Sequence, residues 1–404
     1  MFTTLSELAT RYGLSSVDMA LLAVSAVGTL LWWVAYGSTA RSLRNVPRLS
    51  ERQDPAPASW PSVSVIVPAC NEAPHIGATL AGLLAQDYEP LQVVAVDDRS
   101  TDETGAIAAA LARTDLRLRA VTIDTLPPGW LGKVNALRVG SDVASGDLLL
   151  FCDADIDYEP SLLRRAVALM EAEDLGLLTL FPHLRGDGFM HVVMSAFGDG
   201  YLQRTLGSRS VLAARGKYFG FGAFMLIRRS TLAATEGLAW LKLDVLDDLA
   251  LAKLLNDSGA RCGFAVADDL LSVQWYTTLW AFAHNTEKNF WGGMAGFSAA
   301  RCLAMATAAA GVFTAPFYGV FAHLWLGITL LAAALVPVVI NALAGRRLQG
   351  RTVAAGLLNP VAQWVLAAIM ARAALVSIGR KRITWRGTTY DVAALRAGRR
   401  VSYP

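Results

Sequence analysis

The sequence is poor in charge. Only 17% of its 404 residues are Asp, Glu, Lys or Arg, whereas about a quarter are charged in soluble domains. The deficit is local, because residues 17–36 and 302–376 are almost free of charge while residues 60–300 have the composition of a soluble domain. This distribution argues against a wholly soluble chain. The formal net charge of +3 is too small to indicate nucleic-acid binding.

The sequence also lacks a cysteine pattern. Its four cysteines contain no C-x-x-C pair and have no histidines nearby at metal-ligand spacing; they are Cys70, Cys152, Cys262 and Cys302. Neither a zinc site nor a disulfide framework is therefore indicated. We expect reduced thiols.

The first apolar segment, residues 17–36, has one charge, Asp18, at its start. About 20 apolar residues are enough to cross the hydrocarbon core of a bilayer. Trp32, Trp33 and Tyr36 lie together at one end of the segment, which predicts an interfacial aromatic belt.

The charges on either side of this segment indicate its orientation. No basic region precedes it, which favours a retained anchor over a cleaved signal peptide. Four arginines follow it: Arg41, Arg44, Arg48 and Arg52. The positive-inside rule therefore predicts an integral protein of the cell (inner) membrane, with residues 60–300 in the cytosol.

A second apolar block, residues 302–343, has no charge, and a third, residues 353–378, has only Arg372. The long block has room for one span or two. The basic tail after residue 378 favours one, since one span leaves that tail in the cytosol. Residues 304–315 are weakly hydrophobic and stop at Pro316, which suits an interfacial or re-entrant helix. The expected organisation is an anchor at 1–37, a basic, proline-rich linker at 38–59, a catalytic domain at 60–300, interfacial and transmembrane helices at 301–378, and a basic tail at 379–404.

The domain opens with a strand–helix–strand pattern. Residues 63–67 are a short β-branched run, which predicts a buried parallel strand that Pro68 ends. Apolar positions at helical spacing follow over 74–86, and a second strand is predicted at 91–96. This pattern predicts an α/β domain with a mostly parallel sheet, whose ligand crevice lies at the carboxyl ends of the strands.

Polar side chains follow both strands. Asn71 and Glu72 come after the first strand, and Asp97 and Asp98 come directly after the second. Carboxylates at these positions can accept hydrogen bonds from a nucleobase or from ribose hydroxyls.

Two further carboxylates follow a third apolar strand. Residues 148–152 form the run, and Asp153 and Asp155 come after it. An isolated D-x-D is more often a solvated turn. The buried strand favours the alternative, in which the pair binds a divalent ion that keeps positions open for substrate phosphates.

Asp247 and Asp248 open an apolar helix. Alone, such a pair suits capping and the helix dipole. A catalytic interpretation requires that one of them act as a general base toward an acceptor hydroxyl.

Together these motifs resemble the family 2 glycosyltransferases of GT-A fold, over about residues 60–300. The matching strings, in chain order, are PACNE, VDDRSTDET, GWLGKVNAL, CDAD and LDDLALA. The flanking apolar segments and the closing ITWRGTTY resemble the lipid-glycosylating branch, which includes ceramide glucosyltransferase-like and hopanoid- or carotenoid-associated enzymes.

The resemblance implies a role for each motif. Asp248 would be the base, with Asp247 beside it, and Asp153 and Asp155 would hold Mg²⁺ or Mn²⁺. The residues implied to contact the nucleotide-sugar are Pro68, Asn71, Glu72, Asp97, Asp98, Lys133 and Asp153.

The chain departs from the pattern in one place. Related enzymes often have Q-x-x-R-W after the base, and this sequence has no such string. The nearest counterpart is HNTEKNFW, in which His284, Lys288 and Trp291 are candidates for the diphosphate and sugar roles. For Lys288, a solvated charge before a membrane helix is an equally good interpretation.

Large apolar residues recur at helical spacing between the metal and base motifs, at Phe189, Met190, Met194, Phe197, Tyr201 and Leu202. They fit a core stripe, a channel for a lipid acceptor, or a surface that lies on the bilayer. Gly216, Gly220 and Gly222 follow and indicate a loop of close backbone approach.

The predicted function is metal-dependent, inverting transfer of a sugar to a lipid hydroxyl at the cytosolic face of the membrane, with a UDP-sugar as the expected donor. A processive polysaccharide synthase and a non-catalytic membrane scaffold of the same fold are the alternatives.

Overall fold

The computed structural model describes residues 10–203, 218–348 and 350–401. They form two compact units. A helical unit is built from the described parts of Met1–Asn45, Gly186–Ser208 and Ala299–Leu375. An α/β unit is built from the described parts of Val46–Arg185, Arg209–Ser298 and Val376–Pro404.

The strands and helices alternate along most of the chain. The strands are β1 (Val63–Ala69), β2 (Leu91–Asp98), β3 (Leu118–Ile123), β4 (Leu148–Phe151), β5 (Ile156–Tyr158), β6 (Leu177–Phe181), β7 (His183–Leu184), β8 (Met225–Arg228), β9 (Cys262–Val266), β10 (Leu271–Val273), β11 (Arg382–Trp385) and β12 (Thr388–Asp391). The helices are α1 (Ser16–Asn45), α2 (Ala73–Leu84), α3 (Thr104–Ala112), α4 (Gly132–Val143), α5 (Leu162–Ala172), α6 (Phe189–Leu202), α7 (Arg229–Ala233), α8 (Asp247–Asp257), α9 (Leu279–Asn285), α10 (Ala299–Thr314), α11 (Tyr318–Ala322), α12 (Leu324–Gly345), α13 (Val353–Leu357), α14 (Asn359–Val376) and α15 (Val392–Gly398).

The main sheet of the α/β unit has seven strands in the order β3-β2-β1-β4-β8-β6-β9. Each neighbouring pair is parallel except the two that involve β8. The central strands are apolar runs buried along their length, as parallel strands covered on both faces should be. The predicted mostly parallel α/β sheet is confirmed.

The chain order along the sheet reverses at β1. The path runs outward through β2 and β3 and then returns to place β4 on the other side of β1. Ligands bind at such a switch point, beyond the carboxyl ends of the strands. The loops after β1, β2 and β4 therefore frame the candidate site.

Pro68 does not end the first strand, contrary to the sequence-based prediction. Pairing of β1 with β2 continues to Ala69, whereas its pairing with β4 stops at Ile66. A residue without an N–H is tolerated here because one side of the strand is already unpaired.

In the helical unit, α1 continues past Tyr36 to Asn45. Trp32 and Tyr36 are almost fully buried and form a core with Ala334 and Val338 of α12. The indole Nε1 of Trp32 donates a hydrogen bond to the carbonyl of Val312. Trp32 and Tyr36 therefore pack against neighbouring helices, whereas Trp33 is 43% exposed, and the interfacial belt stays a prediction.

Among the described residues, four helical segments have the length and apolar composition to cross a membrane: Ser16–Asn45, Ala299–Ala322, Leu324–Gly345 and Asn359–Val376. The second continues beyond Thr314 through a short 3-10 turn that contains Pro316. The helical path thus does not stop at this proline. These segments were recognised by length and composition. The number of spans and the interfacial placement of residues 304–315 therefore stay predictions.

The helical unit also encloses a polar cluster around Asp199 of α6. Asn341 and Asn359 each donate a hydrogen bond to its Oδ2, and Arg351 pairs with its Oδ1 at 2.6 Å. Tyr36 donates to Asn359. Half of the predicted apolar stripe on α6 is core: Met190, Met194 and Leu202 are buried, whereas Phe197 and Tyr201 are partly exposed and Phe189 is 40% exposed.

Candidate active site

The loops after β1 and β2 are tied together. Asn71 has a left-handed backbone, with φ of 56°, and its N–H donates to the hydroxyl of Ser100 while its side-chain oxygen accepts from the N–H of Thr101. The N–H of Glu72 donates to the hydroxyl of Thr104, and that of Ala73 donates to the carboxylate of Asp102 at 3.1 Å. Ser100, Asp102 and Thr104 of the motif VDDRSTDET therefore hold the loop of the motif PACNE in place.

Two adjacent carboxylates end β2. Asp98 is 4% exposed and accepts two hydrogen bonds from Arg99, each of 2.8 Å. Asp97 accepts from the N–H of Ser100. A Cβ on Gly132 would lie 2.2 Å from the carboxylate of Asp98, so the glycine lets α4 begin against that carboxylate.

Lys133 joins the loop after β4 to the start of α8. Its Nζ donates to Asp153 Oδ1 at 2.7 Å and lies 3.4 Å from Asp247 Oδ2. Burial opposes the charge of Lys133, but the carboxylates of Asp153 and Asp247 raise its pKa above the ordinary value. This ammonium therefore holds two of the predicted acidic motifs together.

The second carboxyl of the D-x-D pair has a high proton affinity. Burial, and then the charges of Asp153 and Glu72, raise the pKa of Asp155 to about 7. Burial likewise raises the pKa of Glu72. Negative charge thus accumulates where the loops after β1 and β4 meet.

These carboxylates fit a divalent cation. Oxygen donors suit hard ions, and a Cβ on Gly222 would lie 3.0 Å from Asp153 Oδ2, so this glycine keeps one face of the carboxylate clear. Among the described residues, no three His, Cys, Asp or Glu side chains form a closed metal cluster. An ion held here would rely on Asp153, Asp155 and ligands from the substrate.

Neither of the two aspartates that open α8 is its N-cap residue. Leu246 is the N-cap residue and makes no side-chain hydrogen bond to the helix. Asp247 faces Lys133, while Asp248 accepts hydrogen bonds from the N–H of Gly222 and from that of Leu249. Burial, and then the charge of Asp247, raise the pKa of Asp248 to about 7. A carboxyl group with a pKa near neutrality is suited to proton transfer.

The predicted glycine loop approaches this helix closely. A Cβ on Gly220 would lie 2.0 Å from the carbonyl oxygen of Asp248, so the loop backbone passes directly over the start of α8. Gly216 lies outside the described residues.

The segment HNTEKNFW forms the end of α9 and a π-helical turn, Lys288–Met294. Burial lowers the pKa of Lys288 to about 8, against the attraction of Asp247. Trp291 is 2% exposed and packs against Phe297; its Nε1 has no hydrogen-bond partner in the part of the chain that the structure describes. His284 is exposed, and its ring stacks on Trp280.

A hairpin formed by β11 and β12 reaches the same loops. Arg386 pairs with the carboxylate of Glu72, Thr388 accepts from Arg99, Tyr390 accepts from the N–H of Gly132, and the Nζ of Lys288 lies 3.5 Å from the ring centroid of Trp385. No site role was predicted for the hairpin residues Trp385, Arg386, Thr388 and Tyr390. The string ITWRGTTY, which resembled the lipid-glycosylating branch, was the available signal.

Comparison with known proteins identifies the family. The model described as Glycosyl transferase family 21 matches residues 20–398. A 4,4'-diaponeurosporenoate glycosyltransferase of Staphylococcus haemolyticus is 26% identical over 211 residues, which are 51% of this chain and 53% of that protein. A beta-monoglucosyldiacylglycerol synthase of Synechocystis is 28% identical over 282 residues, which are 65% of this chain and 55% of that protein. The chain thus spans about half the length of these relatives.

The fold is similar to that of a mannosyltransferase from Pyrobaculum calidifontis, solved in complex with GDP-Man and Mn²⁺. The TM-score is 0.50 at 20% sequence identity, and the match covers 90% of this chain and 98% of the other. This likeness concerns the fold, and the predicted GT-A fold is confirmed.

Proposed function

The chain belongs to glycosyl transferase family 21, and on that premise we propose that it transfers a sugar from a nucleotide-sugar donor to a lipid hydroxyl, with inversion at the anomeric carbon. The observation that carries the proposal is the position of Lys133, which contacts both Asp153 and Asp247. One side chain thereby links the motif proposed to hold the donor to the motif proposed to activate the acceptor.

The donor's nucleoside is assigned to the loops after β1 and β2. Asp97, Asp98 and Glu72 can accept hydrogen bonds from the base and ribose, and Pro68 and Asn71 shape the first loop. A UDP-sugar is the proposed donor; among solved structures, the similar fold from Pyrobaculum calidifontis was determined with GDP-Man, so GDP donors belong in the first assays.

The donor's diphosphate is assigned to the side of Lys133 and Lys288. A divalent ion held by Asp153 and Asp155 would neutralise charge on the diphosphate as it leaves. Lys133 keeps the carboxylate of Asp153 in place, and Lys288, whose Nζ lies over the ring of Trp385, supplies a second ammonium. Trp291 offers a buried N–H donor, which we assign to the sugar.

Asp248 is the proposed general base. The N–H groups of Gly222 and Leu249 hold its carboxylate, and in its ionised form it removes the proton of the acceptor hydroxyl. Direct attack of that oxygen on the anomeric carbon then breaks the bond to the diphosphate, and one displacement inverts the configuration.

The acceptor class is inferred from the relatives and the helices. Two relatives are named as a 4,4'-diaponeurosporenoate glycosyltransferase and a beta-monoglucosyldiacylglycerol synthase. In the part of the chain that the structure describes, four helical segments are apolar and long enough to span a bilayer. These features support a membrane-associated enzyme with a lipid acceptor. We propose that it is an integral protein of the cell (inner) membrane and that its α/β unit lies on the cytosolic side.

The test of the proposal is Asp248→Asn. Asparagine keeps the shape, and its single side-chain oxygen can accept one of the two hydrogen bonds that Asp248 accepts from Gly222 and Leu249. The variant should therefore still extract and fold, and it should bind the nucleotide donor. Sugar transfer to extracted lipids, measured with radiolabelled UDP- and GDP-sugars, should fall by about 10²–10⁴-fold, the contribution of a general base.

Asp247→Asn is the matched control, one residue away on the same helix, and it should reduce transfer less. Transfer at a near wild-type rate by Asp248→Asn would place the base elsewhere. A non-catalytic scaffold predicts no transfer by the wild type with any donor.

Metal removal tests the proposed role of Asp153 and Asp155. EDTA should abolish transfer, and Mg²⁺ or Mn²⁺ should restore it, because two carboxylates and the leaving diphosphate would otherwise concentrate negative charge. Full turnover in metal-free buffer would remove this assignment.

A further inference from the structure

The tip of the β11–β12 hairpin has an unusual backbone. Arg386 and Gly387 connect the strands, and both have positive φ values, of 48° and 74°. Two-residue hairpin turns of this kind are usually built from asparagine, aspartate or glycine, since other side chains disfavour a left-handed backbone. An arginine at this position therefore costs conformational energy, and such outliers favour a functional explanation.

The guanidinium of Arg386 is only partly engaged. It donates one hydrogen bond to the carboxylate of Glu72 and one to the carbonyl of Cys70. A guanidinium has five N–H donors, so donors remain for another acceptor. The side chain of Arg386 is 49% exposed, while that of Glu72 is 15% exposed. The guanidinium is therefore the partner of this ion pair that solvent, or a ligand, can reach.

Carboxyl groups predominate around the loops that are proposed to bind the donor, so a bound diphosphate would be repelled without nearby cations such as Arg386. Glu72, Asp153, Asp155, Asp247 and Asp248 contribute carboxyl groups to the site. Lys133 is already held by two of them. A diphosphate that enters this acidic site requires further positive charge beyond a metal ion.

A second cation, Lys288 of the π-helical turn, contacts the hairpin. Lys288 lies over the ring of Trp385, the residue before Arg386, and a cation over an indole face is stabilised there. Arg386, which pairs with Glu72, and Lys288 are thus brought to the same end of the hairpin.

We propose that this hairpin is part of the donor-binding site and that Arg386 binds a phosphate oxygen of the nucleotide-sugar diphosphate. The inference rests on the proposed function, since it assumes that a nucleoside diphosphate sugar occupies the loops after β1, β2 and β4. Planar guanidinium groups are well matched to phosphate oxygens, with which they form bidentate, charge-assisted hydrogen bonds.

The experiment compares Arg386→Gln, Arg386→Lys and the control Arg382→Gln in the full-length protein in detergent. Arg382 lies on the same hairpin and is exposed, so its substitution removes the same charge from a different place. Binding of UDP, GDP, uridine and guanosine is measured by calorimetry with Mg²⁺, and folding is checked by thermal unfolding.

We expect Arg386→Gln to lower the affinity for UDP or GDP by about tenfold or more, which corresponds to about 1.4 kcal/mol of binding free energy. The affinity for uridine or guanosine should not change. Arg386→Lys should recover part of the loss because it restores the charge without the fork. Arg382→Gln should bind like the wild type.

Two results would overturn the inference. Unchanged affinity for the diphosphate would show that Arg386 does not contact it. An equal loss for nucleoside and diphosphate would show that the residue acts through Glu72 or through the fold. If the wild type binds neither UDP nor GDP, the proposed function itself fails, and that outcome is distinct from both.

Discussion

Asp248 combines a buried position with a charged neighbour, and this has a measurable consequence. Its pKa is raised to about 7, first by burial and then by the negative charge of Asp247. Below that pH the carboxyl group keeps its proton and cannot accept another from the acceptor. The transfer rate should therefore rise with pH up to about 7 and then level off, with a slope near tenfold per pH unit on the acid side.

Asp247→Asn should move this acid limb to lower pH. Removing the neighbouring negative charge makes ionisation of Asp248 easier, so its pKa falls and activity persists in more acidic buffer. The measurement is kcat against pH from 5 to 9. The control is Asp257→Asn, at the exposed end of the same helix, which should leave the acid side of the pH profile unchanged. If Asp247→Asn also leaves it unchanged, Asp248 is not the group whose ionisation limits the rate.

At the scale of single residues, the sequence was informative where a side chain follows directly after a strand. Asp97, Asp98, Asp153 and Glu72 all lie at the carboxyl end of the sheet because parallel strands end together. Arg386 was not assigned to the site, because its contact with Glu72 joins residues 314 positions apart. No local period or spacing encodes such a contact.

At the scale of elements, the start of α2 depends on the loop that follows β2. Thr104 has no exposed surface, and its hydroxyl accepts from the N–H of Glu72 and donates to Asp102. Thr104→Val keeps the shape of the side chain and removes both bonds. We expect a loss of about 1–3 kcal/mol in the free energy of unfolding and weaker nucleotide binding, because Glu72 loses its anchor.

Thr114→Val is the control, since Thr114 is exposed and bonds only to the carbonyl of Leu111; it should change stability by no more than about 0.5 kcal/mol. Thermal unfolding and UDP or GDP affinity are compared in the same detergent. If Thr104→Val unfolds and binds nucleotide like Thr114→Val, the two loops are not coupled.

The elements themselves were predictable to different degrees. Periodicity and β-branched runs located β1, β2 and β4 because a buried strand is apolar along its whole length. The partners of α1 were not predictable, since a helix that is apolar on all sides gives no sign of which face packs against protein. The packing of Trp32 and Tyr36 against Ala334 and Val338 was consequently not predicted.

At the scale of the whole molecule, orientation depends on the four arginines after Tyr36. We expect the linker that follows α1 to lie in the cytosol. Ser59→Cys places an exposed thiol in this linker. In intact cells an impermeant maleimide should label the variant no more than the wild type, and permeabilisation should increase its labelling. Strong labelling of intact cells would reverse the orientation and separate the α/β unit from a cytosolic donor.

The position of the β11–β12 hairpin in the chain has a consequence for biosynthesis. Every carboxylate of the proposed site is translated before α10, whereas Arg386 is translated only after α14. On the proposal that Arg386 contributes to the donor site, a nascent chain still on the ribosome holds the carboxylates, Lys133 and Lys288 without this arginine. Donor binding would then be weaker, by about the tenfold expected for Arg386→Gln, until Asn359–Val376 has been synthesised and is available to the insertion machinery.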